Sequence, residues 1–121
     1  MKERITLVLG ATEKTDRYAN MAIRRLLAAD EKVIAVGNKN GNVEGVPILT
    51  EIPEDIDIHT VTLYVSARNQ EPYIEAIVAA KPERVIVNPG TENPQLYTRL
   101  QAANIPYELA CTLVMLGTNT Y

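Results

Sequence analysis

The sequence predicts a Rossmann-like α/β fold: a doubly wound, mostly parallel sheet of five to six strands with helices on both faces. Short, nearly continuous apolar runs alternate from end to end with amphipathic segments of helical period. Strands buried on both faces produce that pattern, because crossover helices cover a parallel sheet from above and below. The chain of 121 residues suits one domain around one core, and it shows no repeat, low-complexity tract or linker, so 1–121 reads as a single unit.

The first strand is Ile5-Thr6-Leu7-Val8-Leu9, stopped by Gly10. A polar loop follows, then Ala19, Ala22, Ile23, Leu26 and Leu27 recur at three- and four-residue spacing, with Asp16 placed to cap the helix they form. Val33-Ile34-Ala35-Val36 is a second buried strand ending at Gly37. The segment Asn38-Lys39-Asn40-Gly41-Asn42 reads as a turn, and Val46-Pro47-Ile48-Leu49 as a weak edge strand reached without a full crossover helix. Further on, Val61 to Val65 is a strand, Ile74, Ile77 and Val78 mark a helix, and Val85-Ile86-Val87 is a strand. Leu96, Leu100 and Ala103 mark another helix, Ile105-Pro106-Tyr107 opens a last short strand, and Leu109 to Leu116 closes the chain helically. Right-handed crossovers then give strand order 3-2-1-4-5-6.

A net charge of -3 argues against nucleic acid as a partner, and no apolar run approaches a membrane span. The opening residues are too few for a signal-peptide core, and a single cysteine, Cys111, forms no intramolecular disulfide. The expected compartment is the cytoplasm.

Ligands of such sheets bind beyond the carboxyl ends of the strands, near the switch in strand order. Four of the twelve basic residues fall in loops at that edge: Lys14 and Arg17 after the first strand, Lys39 after the second, and Arg68 after the strand ending at Val65. Glu13, Asp16 and Glu92 share the edge and dilute their charge. In the loop from Gly10 to Arg17, backbone N–H groups and a helix dipole favour a phosphate. Thr12 and Thr15 offer hydroxyls, and Arg17 a bidentate fork. A dinucleotide fingerprint would place glycines where Thr12 and Thr15 stand, and NAD would call for a carboxylate at the end of the second strand. That end is Val36-Gly37-Asn38-Lys39. A lysine there suits a phosphate on the ribose, which NADP and coenzyme A both carry, and the broken fingerprint counts against NADP.

With Gly10-Ala11-Thr12, Arg17, Val36-Gly37-Asn38-Lys39 and Glu44 to Leu49 in sequence, the chain resembles the small stand-alone coenzyme-A-binding proteins. It also resembles the nucleotide-binding domain of the succinyl-CoA synthetase α subunit. The likeness continues through Glu51-Ile52-Pro53 with Asp57, Asn88-Pro89-Gly90-Thr91-Glu92, and Ala110-Cys111-Thr112. It departs where the usual Pro-x-Asn-Pro after the second strand is Val36-Gly37-Asn38-Lys39, and where the proline often seen before the arginine is missing. The resemblance implies that the first loop, with Ala11 and Lys14, holds the diphosphate of coenzyme A or an acyl-CoA. The end of the second strand, with Val36 and Asn38, would meet the 3′-phosphoribose. Tyr64, Val65, Ser66 and Arg68, with Asn88, Pro89, Gly90 and Thr91, would line the pantetheine path. Cys111 would lie near the pantetheine thiol; its alternative is a small buried apolar side chain.

Reaction chemistry is not evident. The synthetases need a phosphohistidine and a nucleotide-grasping partner domain, whereas the sole histidine, His59, precedes a strand on the side opposite the ligand edge. No metal-ligand cluster stands out. The expectation is a coenzyme A or acyl-CoA binding protein without catalysis of its own, with a protein partner or homo-oligomer left open. The alternatives are a component of an acyl-CoA ligase completed by a partner chain, and an NADP-binding oxidoreductase-like domain.

Overall fold

The computed structural model describes residues 4–121. Its seven strands are β1 (Ile5–Leu9), β2 (Lys32–Val36), β3 (Gly41–Val43), β4 (Val46–Leu49), β5 (Thr60–Leu63), β6 (Arg84–Val87) and β7 (Tyr107–Leu109). They form one sheet in the order β3-β4-β2-β1-β5-β6-β7. Every pairing is parallel except β3 with β4. Helices α1 (Tyr18–Ala28), α2 (Glu71–Ala80), α3 (Pro94–Ala102) and α4 (Thr112–Gly117) complete the chain, with one 3-10 turn at Ala67–Asn69. With β3 set aside, this is the predicted strand order.

The seventh strand is a correction to the sequence reading. Gly41-Asn42-Val43 is not part of a turn but pairs antiparallel with Val46-Pro47-Ile48. The turn is Glu44-Gly45, with φ of 48° and 89°. Positive φ at both central residues matches the right-handed twist of the flanking strands, so the hairpin closes without splaying. Asp16 is also corrected: the residue at the N-cap of α1 is Arg17, with extended backbone and no side-chain cap hydrogen bond.

Alternation along the strands sends side chains to two faces. Leu7, Leu9, Val61, Leu63, Val85 and Val87 form one core with Ile74, Ile77, Leu96 and Leu100 of α2 and α3. Ile52 and Ile58, from the connection before β5, fill the part of that face where no crossover helix lies. Val8, Ala35 and Ile48 pack on the other face against Ala19, Ile23 and Leu26 of α1. Each such valine, leucine or isoleucine, taken fully from water, stabilises the fold by about 1.5–3 kcal/mol.

Thr6, Thr60 and Thr62 are completely buried, and each hydroxyl has a partner. Thr62 bonds Thr112 at 2.7 Å, Thr6 bonds the Tyr121 hydroxyl at 2.5 Å, and Thr60 accepts from Arg84 Nε at 2.9 Å. His59 is partly buried at the amino edge of the sheet, with Nδ1 2.8 Å from Thr60 Oγ1 and Nε2 2.8 Å from Glu83. Among the described residues no helix is long and apolar enough to cross a membrane.

Candidate ligand-binding cleft

The strand order switches between β1 and β5, and at their carboxyl ends the chain opens into a cleft of about 950 Å³. Its shape starts with Gly10. The backbone there has φ +103°, and a Cβ would lie 2.8 Å from the carbonyl carbon of Tyr64. Only glycine both adopts that conformation at low cost and lets the exit of β1 press against the exit of β5. The N–H groups of Gly10 and Ala11 then both donate to the Val36 carbonyl, at 2.8 and 2.9 Å.

Side chains from α1 hold the rest of this loop. Asn20 Nδ2 donates to the Thr12 carbonyl at 2.9 Å, and Arg24 donates through Nε to Asn20 Oδ1 and through Nη2 to the Thr15 carbonyl. The Lys14 N–H donates to Thr12 Oγ1 at 3.2 Å. Helix α1 therefore begins at the cleft with neither a capping side chain nor an acidic residue in its first turn. The first N–H groups of a helix have no intrahelical acceptor, which makes such an end a ready site for an anion.

Four loops converge on the cleft. Gly10, Ala11, Thr12, Lys14 and Arg17 come from the first, and Asn38 and Lys39 from the end of β2. Tyr64, Val65 and Ser66 follow β5, and Pro89, Gly90 and Thr91 follow β6. Among the described residues three cations thus line the cleft and no carboxylate does. Glu13 is engaged with the Asn42 N–H, and Glu92 accepts the Gly90 N–H at 2.9 Å.

Five residues singled out in the sequence lie outside the cleft lining. Val36 contributes its carbonyl to the turn, and Thr15 is fixed through its own carbonyl. Arg68 is exposed on the 3-10 turn, beside the lining residue Asn69. Cys111 stands at the N-cap of α4, partly buried. Asn88 is buried behind the wall: its Nδ2 donates to Thr62 Oγ1 and the Leu63 carbonyl, each at 2.8 Å, and its Oδ1 accepts the Thr112 N–H. Gln70, fully buried, braces the same wall by donating to the carbonyls of Val65 and Thr91 at 2.8 and 2.7 Å.

Tyr18, Ala19, Asn69, Pro72 and Tyr73 also line the cleft and were not singled out in the sequence. Tyr18 is an exposed aromatic at the start of α1, and its place in the wall follows from where that helix begins. Tyr73 and Pro72 enter because α2 begins directly at the mouth of the cleft.

Tyr64 presents its ring to the cleft and buries its hydroxyl. Burial pushes its pKa up to about 12, and the nearby Thr112 and Thr62 hydroxyls offset only part of the shift. Neither makes a hydrogen bond of acceptable geometry to it. The folded state therefore keeps this proton after the unfolded chain, with a pKa near 10, has lost it. Stability is unaffected below that pH and falls as pH rises from about 10 to 12. Absorbance titration should show a phenol ionising near pH 12 that disappears in Tyr64→Phe; a wild-type curve fitted wholly by ordinary phenols would contradict it.

The chain matches the CoA binding domain family over residues 4–117. A crystal structure of a protein described as uncharacterized is 43% identical, with a TM-score of 0.93 and full coverage of both chains. A hypothetical protein from Pyrococcus horikoshii OT3 shares the fold at 23% identity and a TM-score of 0.84, over 98% of this chain and 83% of that one. The apo form of a dinucleotide forming acetyl-coenzyme A synthetase 1 from Ca. Korarchaeum cryptofilum does so at 14% identity and a TM-score of 0.74. There the likeness covers 89% of this chain and 26% of the synthetase. No curated protein matches. With nearly its whole length inside the family match, this chain is a member of the CoA binding domain family.

Proposed function

We propose that the chain binds coenzyme A or an acyl-CoA in this cleft and catalyses no reaction by itself. One observation carries the reading: Lys14, Arg17 and Lys39, from separate loops, line a cleft free of carboxylates at the uncapped start of α1. A ligand with a diphosphate and a further phosphate matches that distribution. The diphosphate meets the first turn of α1 with Arg17, and the 3′-phosphate meets Lys39. The pantetheine arm runs between Tyr64–Ser66 and Pro89–Thr91.

The non-catalytic half of the reading is supported by the chemistry of the lining. Among the described residues it holds no histidine, cysteine or carboxylate to act as base or nucleophile. A ligase component is the second reading, favoured by the shared fold with one part of the acetyl-coenzyme A synthetase. Turnover of ATP, an acid and coenzyme A by the chain with a co-purifying partner, and not by the chain alone, would establish it.

A ligand that binds only the folded state stabilises it by about 2.7 kcal/mol at a hundred times its Kd. Coenzyme A should therefore raise the melting temperature by roughly 10 °C at such an excess, and NADP should not. A flat response of folded, monodisperse protein to millimolar coenzyme A sinks the binding reading, and an equal response to NADP revives the dinucleotide one.

A further inference from the structure

Thr12 and Lys14 both line the cleft, but Glu13 between them does not. Its side chain reaches across to the β3–β4 hairpin. There Oε2 accepts the Asn42 N–H at 3.0 Å, and the carboxylate lies so close over Gly41 that a Cβ at that position would be 2.7 Å from Glu13 Cδ. β3 is one of the two edge strands of the sheet, where N–H groups turned away from the partner strand lack a ladder acceptor. Glu13 supplies one. Asn40 is pinned nearby, its Nδ2 donating to the Ile48 carbonyl at 3.1 Å. On the other side the Gly37 N–H donates to the Leu49 carbonyl at 2.8 Å. Lys39, exposed and on the cleft wall, sits between these anchors.

We infer that Glu13 is a positioning residue for ligand selection: it ties the hairpin to the phosphate loop and so fixes where Lys39 stands relative to Arg17. The inference rests on the reading of the cleft as a coenzyme A site, with Lys39 at the 3′-phosphate. A free carboxylate beside Lys14 would weaken an anion site, whereas one bound to a backbone N–H on β3 is spent outside the cleft. The span between the two phosphate-binding ends is then set by a bond between two loops distant in sequence.

Two variants break this tie from opposite sides. Glu13→Ala removes the carboxylate, and Gly41→Ala displaces it, since the new methyl meets the flexible end of Glu13 rather than backbone. Glu13→Gln keeps an oxygen able to accept the Asn42 N–H. Affinities for coenzyme A and dephospho-CoA are measured by titration calorimetry for the wild type, these three variants and the Glu13→Ala/Gly41→Ala pair. Hydrogen exchange of residues 37–43 is followed without ligand.

Each breaking variant should lower the preference for coenzyme A over dephospho-CoA by about three- to tenfold, the effect of leaving one binding group unordered. The pair should do no more than either alone, Glu13→Gln should keep the preference, and exchange should speed up in both single variants. An unchanged preference in a wild type that does discriminate, or unchanged exchange, overturns the inference and leaves the coenzyme A reading intact. Tighter binding in both Glu13→Ala and Glu13→Gln also overturns it, because Glu13 would then be only a repelling charge. A folded wild type that binds neither nucleotide removes the coenzyme A reading and the selection role together, even where exchange still shows the tie.

Discussion

Lys39→Ala should lower affinity for coenzyme A while leaving dephospho-CoA nearly unchanged. Lys39 follows β2, where a dinucleotide enzyme would carry a carboxylate for ribose hydroxyls, and it stands in the wall of the cleft. A charge-assisted hydrogen bond to a phosphate contributes about 1.5–3 kcal/mol, which is roughly tenfold to somewhat over a hundredfold in Kd. The side chain is exposed, so salt screening draws the effect toward the lower end. Arg17, proposed to meet the diphosphate shared by both nucleotides, gives the contrast: Arg17→Ala should weaken both alike. Calorimetric titration of the two ligands against wild type and each variant checks this. Equal losses for both ligands in Lys39→Ala, or no loss, would make Lys39 a solvated surface lysine and misplace the ribose end of the site.

Gly37→Ala should cost more than any exchange on the cleft surface. A Cβ on Gly37 would overlap the carbonyl oxygen of Ala11 and press on Ile48 Cγ2 at 3.2 Å. Neither backbone can withdraw freely. Ala11 is bonded through its N–H to the Val36 carbonyl, and Gly37 donates to the Leu49 carbonyl. Overpacking of this kind costs about 3 kcal/mol where the obstacle is backbone, or on the order of 10 °C in melting temperature. The same displacement lifts the phosphate loop from β2, so the fraction that folds should bind coenzyme A poorly. Thermal melts with and without ligand measure both. A variant with wild-type stability and affinity would show that the approach of Ala11 to Gly37 is not essential to the site.

The sheet was legible because apolar runs and helix-period segments alternate without interruption. What escaped was the edge. Gly41-Asn42-Val43 holds two turn-forming residue types, and a three-residue strand carries too few side chains to show alternation. The signal lay in Glu44-Gly45 between Val43 and Val46, a two-residue hairpin turn. The cap of α1 was misjudged because Asp16 has the right chemistry one residue too early, and the helix start, with Arg17, Tyr18 and Ala19 in the cleft wall, carries no capping side chain. Within the cleft lining, Gly10, Lys14, Arg17 and Lys39 were legible from their places after strand ends, whereas Ser66 and Gly90 came only from the resemblance to the coenzyme-A-binding proteins. Tyr18, Asn69 and Tyr73 were not, because their places depend on where α1, the 3-10 turn and α2 begin. Asn88 came from the same resemblance, as a residue of the pantetheine path, and its buried bonds to Thr62 and Thr112 arise only when β5, β6 and α4 come together.

The central pairing of β1 with β5, Thr6 against Thr60 through Leu9 against Leu63, joins segments separated by nearly half the chain. Closing so long a loop carries an entropic cost that local contacts cannot repay until the pairing forms. The approach of Gly10 to Tyr64 lies directly beyond that seam, so the cleft is complete only once the least local of the strand pairings has formed. On the proposed reading, a nucleotide should leave the folding rate unchanged, because its site is absent until that pairing closes. Its effect should fall on the reverse process: coenzyme A should slow unfolding and so lengthen the lifetime of a structure it does not help to build.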